Sequence, residues 1–181
     1  MRQSTSYKGT PERRGGRALD AARLEALALR YVGRYATTRA KLRDYLLRKL
    51  DGAEWAGADP PDPAALVSRM AELGYVDDRL FAGQRAAALG RRGYGARRIG
   101  MALRAAGIEG EDGEDALEVA REGALAAALA LARRRRIGPF ADEMPDRPAR
   151  EKAIAMLVRA GHDPVLARQI ASSPPGQIPG D

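Results

Sequence analysis

Asp77 and Asp78 stand side by side in "LGYVDDRLFA", residues 73–82, and paired carboxylates are a natural place to look for chemistry. They could serve as a general acid/base pair or as half of a divalent metal site. Either role needs both groups aimed at one atom, yet neighbouring helical residues point about 100° apart. A metal would also need further His or carboxylate ligands, and the chain holds one histidine, His162, in "RAGHDP" at a helix end. The architectural reading, by contrast, uses every residue. Gly74 suits the left-handed end of a preceding helix. Asp77 is placed as an N-cap whose carboxylate accepts an orphan N–H and favours the positive end of the helix dipole, an effect of about 1–2 kcal/mol. Val76 is positioned to pack on Phe81 as a hydrophobic staple. Asp77 and Asp78 are therefore read as structural caps, with a partner contact left open for Asp78.

Other chemical motifs are weaker. "GRRGYG" at 90–95 has the glycines of a phosphate loop but no following Lys-Ser/Thr and no preceding strand. Cysteine is absent, which removes disulfides, thiolate zinc sites and a cysteine nucleophile. His162 reads as a cap or surface residue. Trp55, in the interruption "DGAEWAGADPPDP", is either a loop anchor or an exposed contact. No catalytic residue, metal ligand or cofactor site is assigned, so a non-enzymatic protein is expected.

The positioning elements are helices. Ala, Leu and Arg dominate and aromatics make up 5%, so propensity favours an all-α fold. Helical spacing predicts elements over 20–34 (Leu24, Leu27, Ala28 and Tyr31 on one face), from a Thr38 cap onward (Leu42, Tyr45, Leu46), Pro63 to Leu73 (Leu66, Met70 and Leu73 inward), 78–92 and 95–106. Beyond a break at "GIEGEDG" an Ala-rich stretch at 114–136 reads as two helices, followed by 148–160 and 164–172. Three segments echo one another: "KLRDYLLRKL", "RIGMALRAAG" and "KAIAMLVRAG", aligned on Leu46, Leu103 and Leu157 at offsets of 57 and 54 residues. The expected fold is an elongated tandem array of three three-helix repeats, with one unit too small to bury its own apolar stripe. The units are placed at 19–75, 76–120 and 121–173, between a basic disordered arm at 1–18 and a disordered tail at 174–181.

Charge then suggests a partner. Thirty-one Lys and Arg against 24 Asp and Glu give a net +7 and a pI near 10.1, which suits nucleic acid, an anionic membrane or an acidic protein. Arg91, Arg92, Arg97, Arg98 and Arg104 occur with no acid among them. Arg97 and Arg104 fall opposite the face formed by Ile99, Ala102, Leu103 and Ala106. The earlier counterpart carries Arg39, Lys41, Arg43, Arg48 and Lys49; the later one carries Arg150, Lys152 and Arg159, and a further run spans Arg133 to Arg136. Any one of them is explained by a solvated face or a helix C-terminus. Their recurrence predicts a basic stripe suited to an acidic groove or a phosphate backbone. Scarce aromatics argue against a dedicated single-strand binder. The longest apolar run, "ALAAALALA" at 124–132, is too short to span a bilayer, and the first residues lack an apolar signal region. A cytoplasmic, membrane-independent monomer is expected.

"ELGYVDDRLFA" followed by "RRGYGARRIGMALRAAGI", after "TTRAKLRDYLLRKL", resembles the RecX family of bacterial recombination regulators. The resemblance covers about 20–172 and is strongest over 35–110. The first unit departs from the family pattern: its middle helix ends in "KLDGAEW" without the early glycine, and a long insertion follows. The resemblance implies three-helix repeats and a non-enzymatic role, namely binding the RecA nucleoprotein filament and restraining strand exchange, ATP hydrolysis and co-protease activity. A plain helical DNA-binding protein, with helix 95–106 as its recognition element, is the alternative.

Overall fold

A computed structural model describes residues 18–179; all of the expected N-terminal arm except Ala18 lies outside the described residues. Within them the chain forms α1 (Ala21–Val32), α2 (Arg39–Leu50), α3 (Pro63–Glu72), α4 (Asp78–Arg91), α5 (Ala96–Arg104), α6 (Glu111–Glu122), α7 (Ala124–Arg135), a short 3-10 turn (Gly138–Phe140), α8 (Arg147–Arg159) and α9 (Pro164–Ser172). The fold is all-α. Among the described residues, a single β-bridge joins Leu19 to Trp55.

Six of the described α-helices start at an oxygen-bearing side chain, whereas α5, α6 and α7 start at glycines. Asp20, Thr38, Asp62, Asp77, Asp146 and Asp163 each accept a backbone N–H from the first turn of the helix that follows. Five aspartates are thus taken up at helix N-termini, which leaves the basic surplus less opposed elsewhere. Several helices end in the same way. After α3, Gly74 adopts φ +76, with Gly74 N–H donating to Ala71 and Tyr75 N–H to Met70, both at 2.9 Å. This is the doubly bonded glycine C-cap. It returns after α8, where Gly161 donates to Val158 at 2.9 Å and His162 to Leu157 at 3.2 Å.

Two local expectations change. The break before α6 is shorter than "GIEGEDG" suggests, because Gly110 turns at φ 62 and the helix begins at Glu111. Leu73, expected inward, is the C-cap of α3 and is 61% exposed.

Apolar side chains gather in three clusters. Leu24, Leu42, Leu46 and Met70 centre the first, drawn from α1–α3. Ala82, Ile99, Leu103 and Ala116 belong to the second, from α4–α6. Ala128, Leu157 and Ile170 belong to the third, from α7–α9. Leu46, Leu103 and Leu157, the residues that align the repeated segments, are 0%, 2% and 0% exposed. Val76 joins the first cluster while Phe81 packs on the second, so these two side chains do not form the expected staple. Val76 instead ties the chain entering α4 back to the first cluster.

Trp55 is a loop anchor. Its indole N–H donates to the Asp59 carbonyl at 2.7 Å, and its ring packs against the first cluster. The backbone around it pairs with Leu19, through Leu19 N–H to Glu54 at 2.8 Å and Ala56 N–H to Leu19 at 2.8 Å. The long interruption between α2 and α3 is held in place by that one residue and its neighbours.

Candidate basic interface

The middle helix of each cluster meets the middle helix of the next end to end. At the first join, the Thr38 hydroxyl at the start of α2 donates to the Ala106 carbonyl just past α5, at 2.6 Å. At the second, Gly95 N–H at the start of α5 donates to the Ala160 carbonyl at the end of α8, at 2.9 Å, and Arg97 N–H reaches the Gly161 carbonyl at 3.3 Å. Thr38 and Gly95 lie 57 residues apart, and Ala106 and Ala160 lie 54 apart, the offsets of the aligned leucines. Equivalent positions therefore make equivalent joins. The first join uses a side-chain hydroxyl as donor and the second uses backbone amides, and both set a positive dipole end against a negative one. Close approach requires glycine here. A Cβ on Gly95 would overlap the Gly161 carbonyl, and one on Gly107 would overlap the Ala40 side chain.

Asp77 and Asp78 divide their labour across the first join. Asp77 Oδ1 accepts the Leu80 N–H at 2.8 Å and caps its own helix, α4. Asp78 turns away and accepts the Arg39 N–H at 2.9 Å, so it caps α2 in the preceding cluster. Sequence reading placed both carboxylates at one helix start; the second serves a helix 39 residues earlier. Asp78 is 6% exposed. Burial pushes its carboxyl above the usual carboxylate range, while the Arg39 amide hydrogen bond pulls the other way. An acid raised in the folded state binds more protons there than when unfolded, so its contribution to stability diminishes as pH rises through the raised value.

His162 occupies the second join and is not a surface residue. It is 1% exposed, with Nε2 2.9 Å from the Gly93 carbonyl. A carbonyl only accepts, so Nε2 carries the proton and Nδ1 is left as a buried acceptor without a partner. Burial lowers its pKa from 6.5, and the Gly93 hydrogen bond opposes that shift in part. The unfolded chain then binds a proton before the folded one does, so stability is lost as pH falls below about 6.5. A thermal unfolding series from pH 7.5 down to pH 5.5 is expected to show this decline, and His162→Gln is expected to flatten it.

The basic residues singled out by sequence are surface groups. Arg39, Lys41, Arg43, Arg48, Arg91, Arg92, Arg97, Arg98, Arg104, Lys152 and Arg159 are exposed and Arg150 is half-buried. Lys41 lies over the Phe81 ring at 5.2 Å, and Arg43 is 4.0 Å from Asp44. The structure brings some of them together. Arg92, Arg98 and Arg159 line one depression with Arg134 and Arg135, around Tyr94, Leu131 and Met156. It encloses about 480 Å³ and no acidic side chain lines it. Arg92 and Arg98 stack on the Tyr94 ring at 5.7 and 5.1 Å, and Arg134 donates to the Arg91 and Arg92 carbonyls at the end of α4. Arg97 and Arg104 are not among the lining residues.

Sequence reading noted Arg134 and Arg135 only within the run Arg133–Arg136 and did not place them, or Tyr94, in this group. The run Arg133–Arg136 is split by helical geometry: Arg133 lies on the Phe140 ring at 4.9 Å, and Arg136 reaches Asp142 at 3.3 Å. Only the middle two face the depression. Five guanidinium groups around one concavity, carried on α4, α5, α7 and α8 and their ends, are suited to phosphate or carboxylate oxygens. Among the described residues no cluster of His, Cys, Asp or Glu could hold a metal ion, and no helix is long and apolar enough to cross a membrane.

The chain is 31% identical over 163 residues to "Regulatory protein RecX" of Myxococcus xanthus (strain DK1622), covering 84% of this chain and 86% of that protein. Its fold is similar to the crystal structure of RecX from Lactobacillus salivarius, with a TM-score of 0.65, 19% identity, and coverage of 82% of this chain and 92% of the other. It is also similar to a second crystal structure of regulatory protein RecX, with a TM-score of 0.62, 21% identity and coverage of 82% and 70%. No family model matches. On the strength of the Myxococcus relative, this chain belongs to the RecX family of regulatory proteins.

Proposed function

We propose that this protein is a non-enzymatic regulator of the RecA recombinase that lies along the RecA nucleoprotein filament and restrains its ATP hydrolysis, strand exchange and co-protease activity. The observation that carries this reading is the acid-free arginine depression at the join of α5 and α8. It sits beside the end-to-end succession of α2, α5 and α8, which also bear Arg39, Lys41, Arg43, Arg48, Arg97, Arg104, Arg150 and Lys152. Repeated joins give repeated basic groups, and a repeating polyanionic assembly is the partner such spacing suits. We take the repeats as 19–75, 76–120 and 121–173, a last division that falls two residues before the end of α6, and the acting species as a monomer.

The alternative, a DNA-binding protein that reads a groove with α5, is less well supported. A recognition helix presents its leading turn to base edges, whereas the start of α5 is occupied by Ala160 and Gly161. Sedimentation of the protein with RecA filaments on single-stranded DNA, and with naked duplex DNA of the same length, separates the two. Filament-dependent binding at salt concentrations that abolish binding to naked DNA is the expected result. Equal binding to naked DNA, with the same log–log salt slope, would favour the alternative.

A further inference from the structure

Three of the six tyrosines in the chain gather at one place outside the basic depression. Tyr31 near the end of α1 and Tyr45 on α2 stack with ring centroids 4.3 Å apart and planes 17° from parallel. Tyr35, in the turn between those helices, tilts against Tyr31 at 5.3 Å and is 50% exposed. With Arg30 and Arg34 these rings line a cleft of about 430 Å³ that no acidic side chain enters. Arg34 lies over the Tyr35 ring at 5.5 Å, and Lys49 over the Tyr45 ring at 5.6 Å. Tyr31 and Tyr45 pack against the adjoining apolar cluster but Tyr35 does not, so the open Tyr35 ring is not required to complete the core. Few aromatics in the sequence argued against a stacking platform, but the fold collects a third of them here: three of nine.

We infer that this cleft is a binding site for single-stranded nucleic acid, with an unpaired base stacked on Tyr35 and the adjoining phosphates held by Arg30 and Arg34. A π-face accepts any unpaired base, and guanidinium groups beside it supply the charge for the backbone. A duplex hides its base faces by stacking, and so can use the arginines but not the ring. The acid-free cationic rim selects a polyanion over an uncharged apolar peptide. Lys49 and Arg48, on the same helix as Tyr45, are exposed and add to the local positive charge.

Fluorescence anisotropy tests this with the full chain, a labelled oligothymidylate of about 20 nucleotides and a duplex of the same length, without RecA. Tyr35→Ala is expected to weaken single-strand binding by roughly tenfold and leave duplex binding unchanged. Tyr35→Phe keeps the ring and is expected to bind as the parent does, with far-UV circular dichroism confirming that both variants fold. The inference is overturned if the parent does not bind oligothymidylate. It is equally overturned if Tyr35→Ala binds as the parent does, or if the variant loses duplex and single-strand affinity equally. Loss of binding to DNA-free RecA with oligothymidylate binding intact would overturn it in favour of a protein partner. Because no RecA enters the first measurements, their outcome does not depend on the proposed regulatory role.

Discussion

Gly161→Ala is expected to lower the unfolding midpoint by roughly 10 °C, equivalent to about 3 kcal/mol in a chain of this size. Two effects combine. Gly161 holds φ +95, a conformation that costs a residue with a Cβ about 1–2 kcal/mol. The added carbon would also lie 2.5 Å from the Arg98 nitrogen and 2.7 Å from its Cβ, an overpacked contact worth about 1–3 kcal/mol. Gly74→Ala is the control, because Gly74 shares the left-handed backbone at φ +76 but has open space around it. Its expected loss is the strain alone, about 1–2 kcal/mol. Thermal unfolding of both variants separates strain from collision. Equal losses would mean that α8 and α5 do not meet as closely as these residues place them. Hydrogen exchange in Gly161→Ala is expected to rise mainly at Gly95 and Arg97, whose amides depend on that contact.

Charge reversal gives the second large effect. Arg98→Glu with Arg159→Glu replaces two cations of the depression with anions, and is expected to weaken filament binding by about 100-fold. Each reversal removes an attraction and adds a repulsion, together on the order of 1–2 kcal/mol per position at a partly screened surface. Both side chains are exposed, so the thermal midpoint is expected to stay within a few degrees of the parent. Arg97→Glu with Arg104→Glu tests the neighbouring α5 surface outside the depression. A smaller loss is expected there, since two isolated cations lack the convergence of five. If the second pair proves as damaging as the first, the contact is an extended stripe rather than a focused pocket. If neither pair changes binding, the basic surface is a solvated face and nothing more. Measurement of both affinities across a salt series checks that the lost energy is electrostatic.

Much of the fold was legible because helices announce their ends locally. An aspartate before an apolar run and a glycine after it place the boundaries of α3, α4 and α8 from a few residues each. Leu46, Leu103 and Leu157 exposed the internal similarity because each fills the centre of its own cluster, where side-chain identity is tightly constrained. What crosses between clusters was not legible. Asp78 looked like part of its own helix start, and nothing in "VDDR" reveals that its carboxylate reaches Arg39. His162 looked exposed because charged and small neighbours surround it in sequence, yet the partner that buries it is Gly93, 69 residues away.

The candidate site divides along the same line. Exposure of the basic residues followed from helical periodicity, which places them opposite the leucines. Convergence did not, because Arg92, Arg98, Arg135 and Arg159 arrive from elements separated by turns whose angles no local pattern records. The tyrosine cleft had a partial signal, since Tyr31 and Tyr35 stand four apart at a helix end. Tyr45 completes it only through the packing of α2 on α1.

The regulatory role is tested most directly by the rate of RecA-catalysed ATP hydrolysis on single-stranded DNA, titrated with this protein. Inhibition is expected at concentrations well below that of RecA, with Arg98→Glu/Arg159→Glu shifting the titration to much higher protein. An unchanged rate at equimolar protein, with the chain folded and RecA active, would contradict it.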